Sequence, residues 1–104
     1  MIKELTSSEL EEKVINSAKP VILKFWNEGC GPCQALAPVI DEISEEVDDV
    51  EFFSVNISEN KDIAEKFSVM AAPTLLFIKD GAVVKKTIGF KSKDSVSEII
   101  ESYF

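Results

Sequence analysis

The sequence predicts one α/β domain over residues 1–104, built on a central mixed sheet of about five strands that is flanked by four helices on both faces. Strand-like and helix-like segments alternate in the order β, α, β, α, β, α, β, β, α, and helical crossovers favour parallel pairing. Residues 21–26 are almost continuously apolar, which is typical of a central strand covered on both faces. Asp80-Gly81 between two strand-like segments predicts a hairpin, and therefore an antiparallel pair.

The first two elements are predicted from alternation and from a helix cap. Residues 2–5 form a short strand candidate, and Thr6 with Glu9 three residues later is a capping-box signature. The helix that follows should end before Pro20. Its predicted inward-facing residues are Leu10, Val14 and Ala18.

The second helix is predicted from apolar spacing. After Cys33, apolar residues recur every three or four positions, which gives the inward stripe of a helix of about 16 residues. The stripe consists of Leu36, Val39, Ile40, Ile43 and Val47. Pro38 within this stretch removes the hydrogen bond to the carbonyl of Gln34 and should kink the helix.

The C-terminal half is predicted to contain three strands and two helices. Alternation at Phe53, Val55 and Ile57 indicates a strand, and residues 58–67 indicate a short helix. The hairpin strands are residues 75–78 and 83–88. A last helix should bury one face, formed by Val96, Ile99, Ile100 and Tyr103.

Composition limits the compartment and the partners. The net charge is −8, from 19 acidic residues against 11 lysines, and the absence of arginine further disfavours binding to nucleic acid. No apolar run approaches the ~18 residues of a membrane span, and the first residues do not resemble a signal peptide. One close cysteine pair then favours redox chemistry in the cytoplasm over a disulfide scaffold. A small acidic domain of this kind is expected to be a monomer.

Both cysteines, Cys30 and Cys33, lie in one loop between the apolar strand and the second helix. Pro32 suits the first turn of a helix, which places Cys30 at the helix N-terminus. Unpaired backbone N–H groups and the helix dipole stabilise a thiolate there. Cys33 is three residues further on, on the same side of the first turn, and is close enough to form a disulfide with Cys30. The sequence therefore predicts a dithiol–disulfide switch.

Other motifs accompany the cysteines at characteristic positions. They are Phe25-Trp26 before Cys30-Gly31-Pro32-Cys33, then Ala72-Pro73-Thr74-Leu75, and the glycines Gly81 and Gly89. Together with the order of elements, they make the chain resemble the thioredoxin family over essentially its whole length. The resemblance implies a thioredoxin fold and a protein disulfide reductase that needs no cofactor beyond its own redox-active disulfide.

The resemblance also implies separate roles for the two cysteines. Cys30 would be the exposed attacking thiolate and Cys33 the shielded thiol that resolves the mixed disulfide. Gly31-Pro32 between them resembles the reducing branch of the family. The implied partners are a thioredoxin reductase, which recharges the dithiol, and proteins that contain disulfides.

Residues around the cysteines take supporting roles in the same resemblance. Pro73 would follow a cis peptide bond and lie against the two sulfurs, and Trp26 would cover the dithiol. The backbone of Ala72 would pair with an extended substrate segment, as in strand addition. Gly89 would leave room for the substrate backbone on the other side of the groove.

Two positions depart from the family pattern. Gly29 stands where a second tryptophan usually precedes the first cysteine, so the site should be more open and its choice of partners different. Lys24 stands where a buried aspartate is usual, and Ser54 where its lysine companion is usual. A charged Lys24 would favour a thiolate on Cys33, whereas a desolvated, neutral Lys24 could itself act as the base. In a third alternative Lys24 extends to solvent and water takes the proton.

Other functions are compatible with part of the pattern. Cys30 and Cys33 could contribute two thiolates to a zinc or iron–sulfur site, but a closed zinc site needs four ligands and would require a dimer. A non-catalytic interaction domain would not need both cysteines and Pro73. Glutaredoxin-like and oxidising isomerase-like functions are alternatives within redox chemistry, and the reduction potential distinguishes the oxidising one from the reductase.

Overall fold

A five-stranded sheet with helices on both faces forms the fold in the computed structural model, which describes residues 2–104. The strands are β1 (Lys3–Glu4), β2 (Val21–Trp26), β3 (Glu51–Asn56), β4 (Thr74–Lys79) and β5 (Ala82–Ile88). The α-helices are α1 (Gly31–Glu46), α2 (Lys61–Lys66) and α3 (Lys93–Tyr103). Within the described residues, no helix is both long enough and apolar enough to span a membrane.

Strand β2 lies at the centre of the sheet, whose order is β1-β3-β2-β4-β5. It pairs in parallel with β3 and antiparallel with β4. Strand β1 is parallel to β3 at one edge, and β5 is antiparallel to β4 at the other. The predicted α/β class with a mixed five-stranded sheet is confirmed.

The two faces of the sheet build two apolar layers. Strand β2 contributes to both, because successive side chains of a strand point to opposite faces. Leu23 and Phe25 pack with Ile63 of α2 on one face, whereas Ile22 packs with Leu36 of α1 on the other. Burying one such side chain contributes about 1.5–3 kcal/mol, so β2 is anchored from both sides.

The N-terminal helical segment differs from its prediction. It consists of a 3₁₀ turn, Ser7–Glu9, and a short π-helical segment, Glu11–Ile15, and Ala18 is exposed instead of facing inward. The Glu9 carboxylate does accept the backbone N–H of Thr6, at 3.1 Å. The helix stops early because the Ser17 hydroxyl hydrogen-bonds locally, to the carbonyl of Lys19 at 2.8 Å, and so competes with helical pairing.

The other helices follow their predictions with two corrections. Helix α1 has 16 residues, as its apolar spacing predicts, and contains Pro38. Helix α2 begins only at Lys61, three residues later than predicted. Tyr103 is not part of the buried face of α3: it is 41% exposed in the last turn, where Lys85 Nζ lies 5.9 Å from its ring centroid.

The β4–β5 hairpin turns through two residues in the left-handed region. Asp80 has φ 53° and Gly81 has φ 78°, the combination that a tight two-residue hairpin turn requires. A Cβ atom at Gly81 would lie 2.9 Å from the carbonyl oxygen of Ile15. Glycine is therefore required here both by backbone conformation and by the close approach of the N-terminal helical segment.

The substitution Gly81→Ala should lower the free energy of unfolding by about 2 kcal/mol, from left-handed strain and the clash with Ile15. Urea unfolding measures the loss. The control is Gly31→Ala, because a Cβ at Gly31 would meet nothing within 4 Å. Equal effects of the two substitutions would contradict this account.

Candidate active site

Three segments that are distant in sequence meet at one end of the sheet. The cysteine loop leaves the C-terminal end of β2, and Phe25 near that end pairs with Thr74 at the start of the antiparallel β4. Thr74 also pairs with Ile88 at the end of β5. The N–H of Gly89 donates to the carbonyl of Pro73 at 2.8 Å. The topology therefore brings the Ala72-Pro73 segment and Gly89 to the same end of the sheet as the cysteines. The Ala72–Pro73 peptide bond is cis.

Cys30 occupies the N-cap of α1. Its Sγ accepts the backbone N–H of Cys33 at 3.2 Å, one of the N–H groups that the first helical turn leaves without a partner. Pro32 lies in the same turn, where its lack of an N–H costs nothing. The arrangement directs an N–H dipole and the positive helix end at the sulfur, which favours the thiolate form of Cys30.

A disulfide joins Cys30 and Cys33, whose Cα atoms are 5.2 Å apart. The two residues differ in accessibility: Cys33 is 5% exposed, whereas Cys30 is only half-buried. An incoming sulfur can therefore reach Cys30 more easily than Cys33. The pair can accept two electrons and release them again as a dithiol.

The surface around Cys30 is open. A Cβ atom would meet nothing within 4 Å at Gly29 or at Gly89. Both residues have positive φ, 72° and 91°, a conformation that strains other L-residues. The open space at Gly29 agrees with the expectation from the sequence, whereas its left-handed backbone could not be predicted, because glycine is compatible with either sign of φ.

Exposed apolar side chains also lie near this end of the sheet, and the sequence does not predict them. Ile88 and Phe90, which flank Gly89, are 59% and 49% exposed, and Met70 before the Ala72-Pro73 segment is 93% exposed. Their positions in strand-like or loop sequence do not by themselves distinguish exposed from buried residues. Together they give this end of the molecule an apolar rim that could contact a partner.

A cavity of about 490 Å³ lies behind the cysteine loop. Its lining includes Cys33 and the side chains of Glu4, Lys24, Trp26, Asp41 and Ser54. We call it the Cys33 cavity. Trp26 is half-buried, and its indole Nε1–H donates to the Glu4 carboxylate at 3.4 Å. The buried sulfur of Cys33 thus adjoins a space that contains charged groups of both signs.

Lys24 is buried within the sheet, with 8% exposed, and does not extend freely to solvent. Burial lowers the pKa of its ammonium group below the ordinary 10.5, because desolvation penalises the charged form. The carboxylates of Asp41 and then Glu4 partly offset this effect. Ion pairs within residues 2–104 involve Lys13 and Lys93, so Lys24 has no carboxylate within 4.0 Å among the described residues.

Among residues 2–104, no group of three or more His, Cys, Asp or Glu side chains is placed to hold an ion. The cysteine sulfurs are bonded to each other.

Comparison with known proteins gives a consistent result. The family model described as Thioredoxin matches residues 1–102. The chain is 38% identical over 104 residues to the thioredoxin of Listeria monocytogenes, with 99% of each chain covered. It is 39% identical over 84 residues to the thioredoxin of Bacillus subtilis (80% of this chain, 81% of the relative). It is 40% identical over 93 residues to that of Streptomyces clavuligerus (89% of this chain, 87% of the relative).

Replacing Lys24 by methionine should raise the free energy of unfolding by about 1 kcal/mol at neutral pH, because a buried charge is removed. The folded-state pKa of Lys24 is lowered, so the unfolded chain binds more protons and wild-type stability rises as the pH passes that pKa. The advantage of the variant should therefore be full below the folded-state pKa and vanish towards pH 10.5.

Urea unfolding of the reduced proteins between neutral and alkaline pH measures this difference. The matched control is Lys66→Met, which replaces an exposed lysine of α2. An advantage of Lys24→Met that does not change with pH would mean that packing, and not charge, is responsible.

Proposed function

The chain belongs to the thioredoxin family and is a dithiol–disulfide oxidoreductase, and from this premise we propose that it acts as a protein disulfide reductase in which Cys30 attacks and Cys33 resolves. The single observation that carries the proposal is the asymmetry of the disulfide. Its accessible sulfur, Cys30, sits on the N-terminus of α1, and its other sulfur is buried behind the loop. The thiolate that forms more readily is thus also the one that a substrate can reach.

The first step is attack by the Cys30 thiolate on a substrate disulfide. A bond forms between Cys30 Sγ and one substrate sulfur, and the other substrate sulfur leaves as a thiolate. The N–H of Cys33 and the helix dipole hold Cys30 in the reactive ionised form. The product is a mixed disulfide.

The second step is attack by Cys33 on Cys30. Cys33 loses its proton, its sulfur bonds to Cys30 Sγ, and the bond between Cys30 and the substrate breaks. The substrate sulfur leaves as a thiolate and takes up a proton. The dithiol has then been oxidised by two electrons and the substrate disulfide reduced by two, which yields the Cys30–Cys33 disulfide of the structure.

We assign substrate binding to the end of the sheet where the cysteine loop, the Ala72-Pro73 segment and Gly89 meet. Ala72 would pair its backbone with an extended substrate segment, beside Pro73. The open space at Gly29 and Gly89 would admit a substrate backbone, since neither residue presents a side chain. Backbone pairing makes little demand on side chains, so a broad range of disulfide-containing proteins is expected.

The remaining assignments are parts of the same proposal. The chain works as one domain over residues 1–104, as a monomer in the cytoplasm, without a metal or an added cofactor. A thioredoxin reductase returns the disulfide to the dithiol. Trp26 covers the dithiol on the side of the Cys33 cavity, which is supported by its place in the lining.

The substitution Cys33→Ser should trap substrates, because the mixed disulfide on Cys30 can no longer be resolved. Incubated with oxidised insulin, this variant should accumulate a covalent adduct that dithiothreitol releases, and its turnover should fall by at least about 10³-fold. Non-reducing electrophoresis and mass spectrometry detect the adduct. The matched variant, Cys30→Ser, should form none. Adducts in equal yield on both variants would contradict the separate roles, and adducts on Cys30→Ser alone would reverse them.

The direction of the reaction follows from the reduction potential of the Cys30–Cys33 pair. A reductase should have a potential well below about −200 mV, near the −270 mV typical of reducing dithiols of this kind. Equilibration with glutathione or dithiothreitol buffers, followed by alkylation and mass spectrometry, gives the value. A potential above about −180 mV would instead indicate an oxidising or isomerising protein.

A further inference from the structure

Three neighbouring strands place a row of polar residues under α1. Glu4 of β1 pairs in register with Ser54 of β3, and Ser54 pairs with Lys24 of β2. Residues in register on parallel strands share a face, and adjacent strands lie about 4.8 Å apart. All three residues line the Cys33 cavity. The row thus presents an acid, a hydroxyl and a cation to the space behind Cys33.

Helix α1 closes the other side of this space. Lys24 lies on the same face of β2 as Ile22, which packs against Leu36 of α1. Two residues of the same helix, Cys33 and Asp41, line the cavity. The charged or ionisable side chains of the lining are therefore Lys24 from β2, Cys33 and Asp41 from α1, Glu4 from β1, and Glu28 from the cysteine loop.

The half-buried Asp41 and the exposed Glu4 each accept a hydrogen bond from another group, and neither forms an ion pair with Lys24 among the described residues. Asp41 Oδ1 accepts the backbone N–H of Ile2 at 3.2 Å. Glu4 Oε1 accepts the indole N–H of Trp26 at 3.4 Å. The charge of Lys24 is thus supported by acids on two sides and is not neutralised by either in a direct ion pair.

We propose that Lys24, held as an ammonium ion by Asp41 and Glu4, is the electrostatic partner that stabilises the thiolate of Cys33 during resolution. Lys24 is then a positioning residue, which acts on the substrate only through the charge of Cys33. Asp41 and Glu4 in turn favour the charged form of Lys24. The proposal rests on the proposed function, in which Cys33 is the resolving thiol.

The chemical reason is the cost of forming a thiolate at a buried sulfur. Desolvation disfavours an anion at Cys33, and a nearby cation offsets that cost. Among the lining residues from the described range 2–104, Lys24 is the only one with a cationic side chain. When the thiol ionises, its proton passes to solvent, and the departing substrate thiolate takes up a proton from solvent. Lys24 keeps its own proton throughout, so solvent is both the acceptor and the donor.

Support for the ammonium form comes from the balance of charges. Burial is the largest effect and lowers the pKa of Lys24, whereas the carboxylates of Asp41 and Glu4, which line the same cavity, raise it and so favour the charged form. A neutral amine that accepts the Cys33 proton is the competing mechanism. Arginine distinguishes the two, because its guanidinium is always charged and does not act as a base.

The first experiment titrates the Cys33 thiol in a Cys30→Ser background by thiolate ultraviolet absorbance, with and without Lys24→Met or Lys24→Arg. Lys24→Met should move the titration midpoint upward by about one pH unit, a tenfold loss of thiolate, and Lys24→Arg should restore it. An unchanged midpoint in Lys24→Met would overturn the proposal.

The next measurement uses the protein that retains both cysteines. After the mixed disulfide on Cys30 has formed, release of the second substrate thiol should be about threefold slower in Lys24→Met. The tenfold loss of thiolate is partly offset because a more basic thiolate is a better nucleophile. Lys24→Arg should keep the parent rate. A rate in Lys24→Arg as low as in Lys24→Met, with the thiol midpoint restored, would establish the neutral amine as the base.

The second experiment leaves Lys24 in place and follows its side-chain NMR signals with pH in the reduced protein. Asp41→Asn and Glu4→Gln should each lower the pKa of Lys24, because each removes a carboxylate and keeps a hydrogen-bond acceptor. The control, Glu45→Gln, alters an exposed acid of α1 outside the cavity lining and should have no effect. No change in either test variant would refute the roles of Asp41 and Glu4.

These outcomes are separable from failure of the proposed function. The thiol and lysine titrations need no turnover, so they report on the Cys33 cavity even if the cysteine roles were different. Reversed roles would appear in the trapping experiment with Cys33→Ser and Cys30→Ser.

Discussion

The burial of β2 on both faces is the constraint on which the rest of the structure depends. The strand pairs with β3 and β4 and contributes apolar side chains to both core layers. Its C-terminal end is therefore fixed, and the chain passes from it through one short loop into the N-terminus of α1. Cys30 acquires its N–H donor and its place in the helix dipole from that junction alone.

Local sequence could predict the parts of the molecule that depend on local physics. The apolar run of β2, the three- and four-residue spacing of α1 and the Asp80-Gly81 turn each identify their element directly. Predictions from local sequence were wrong where a competing local hydrogen bond or a distant contact determines the structure. The Ser17 hydroxyl ends the N-terminal segment early, and Tyr103 faces Lys85 of another element instead of the core. Periodicity contains neither kind of information.

The candidate site shows the same division. The N-cap position of Cys30 follows from Pro32 and the adjoining strand, and the pairing with Cys33 follows from a separation of three residues. The carboxylates around Lys24 could not be predicted in this way. Asp41 and Glu4 come from a helix and an edge strand, and only the sheet register and the packing of α1 bring them to the same cavity. Their spacing along the chain carries no signal.

Two unusual residues lie beside different sulfurs of the disulfide. Gly29 changes the outer surface, where it leaves open space beside the accessible Cys30. Lys24 changes the interior, where it places a charge in the cavity behind the buried Cys33. Gly29 also lines this cavity, so the open surface beside Cys30 adjoins the charged space behind Cys33, and a change at either residue can affect both substrate access and the ionisation of the resolving thiol. The buried charge of Lys24 lowers the free energy of unfolding, and it favours only the step in which Cys33 must ionise.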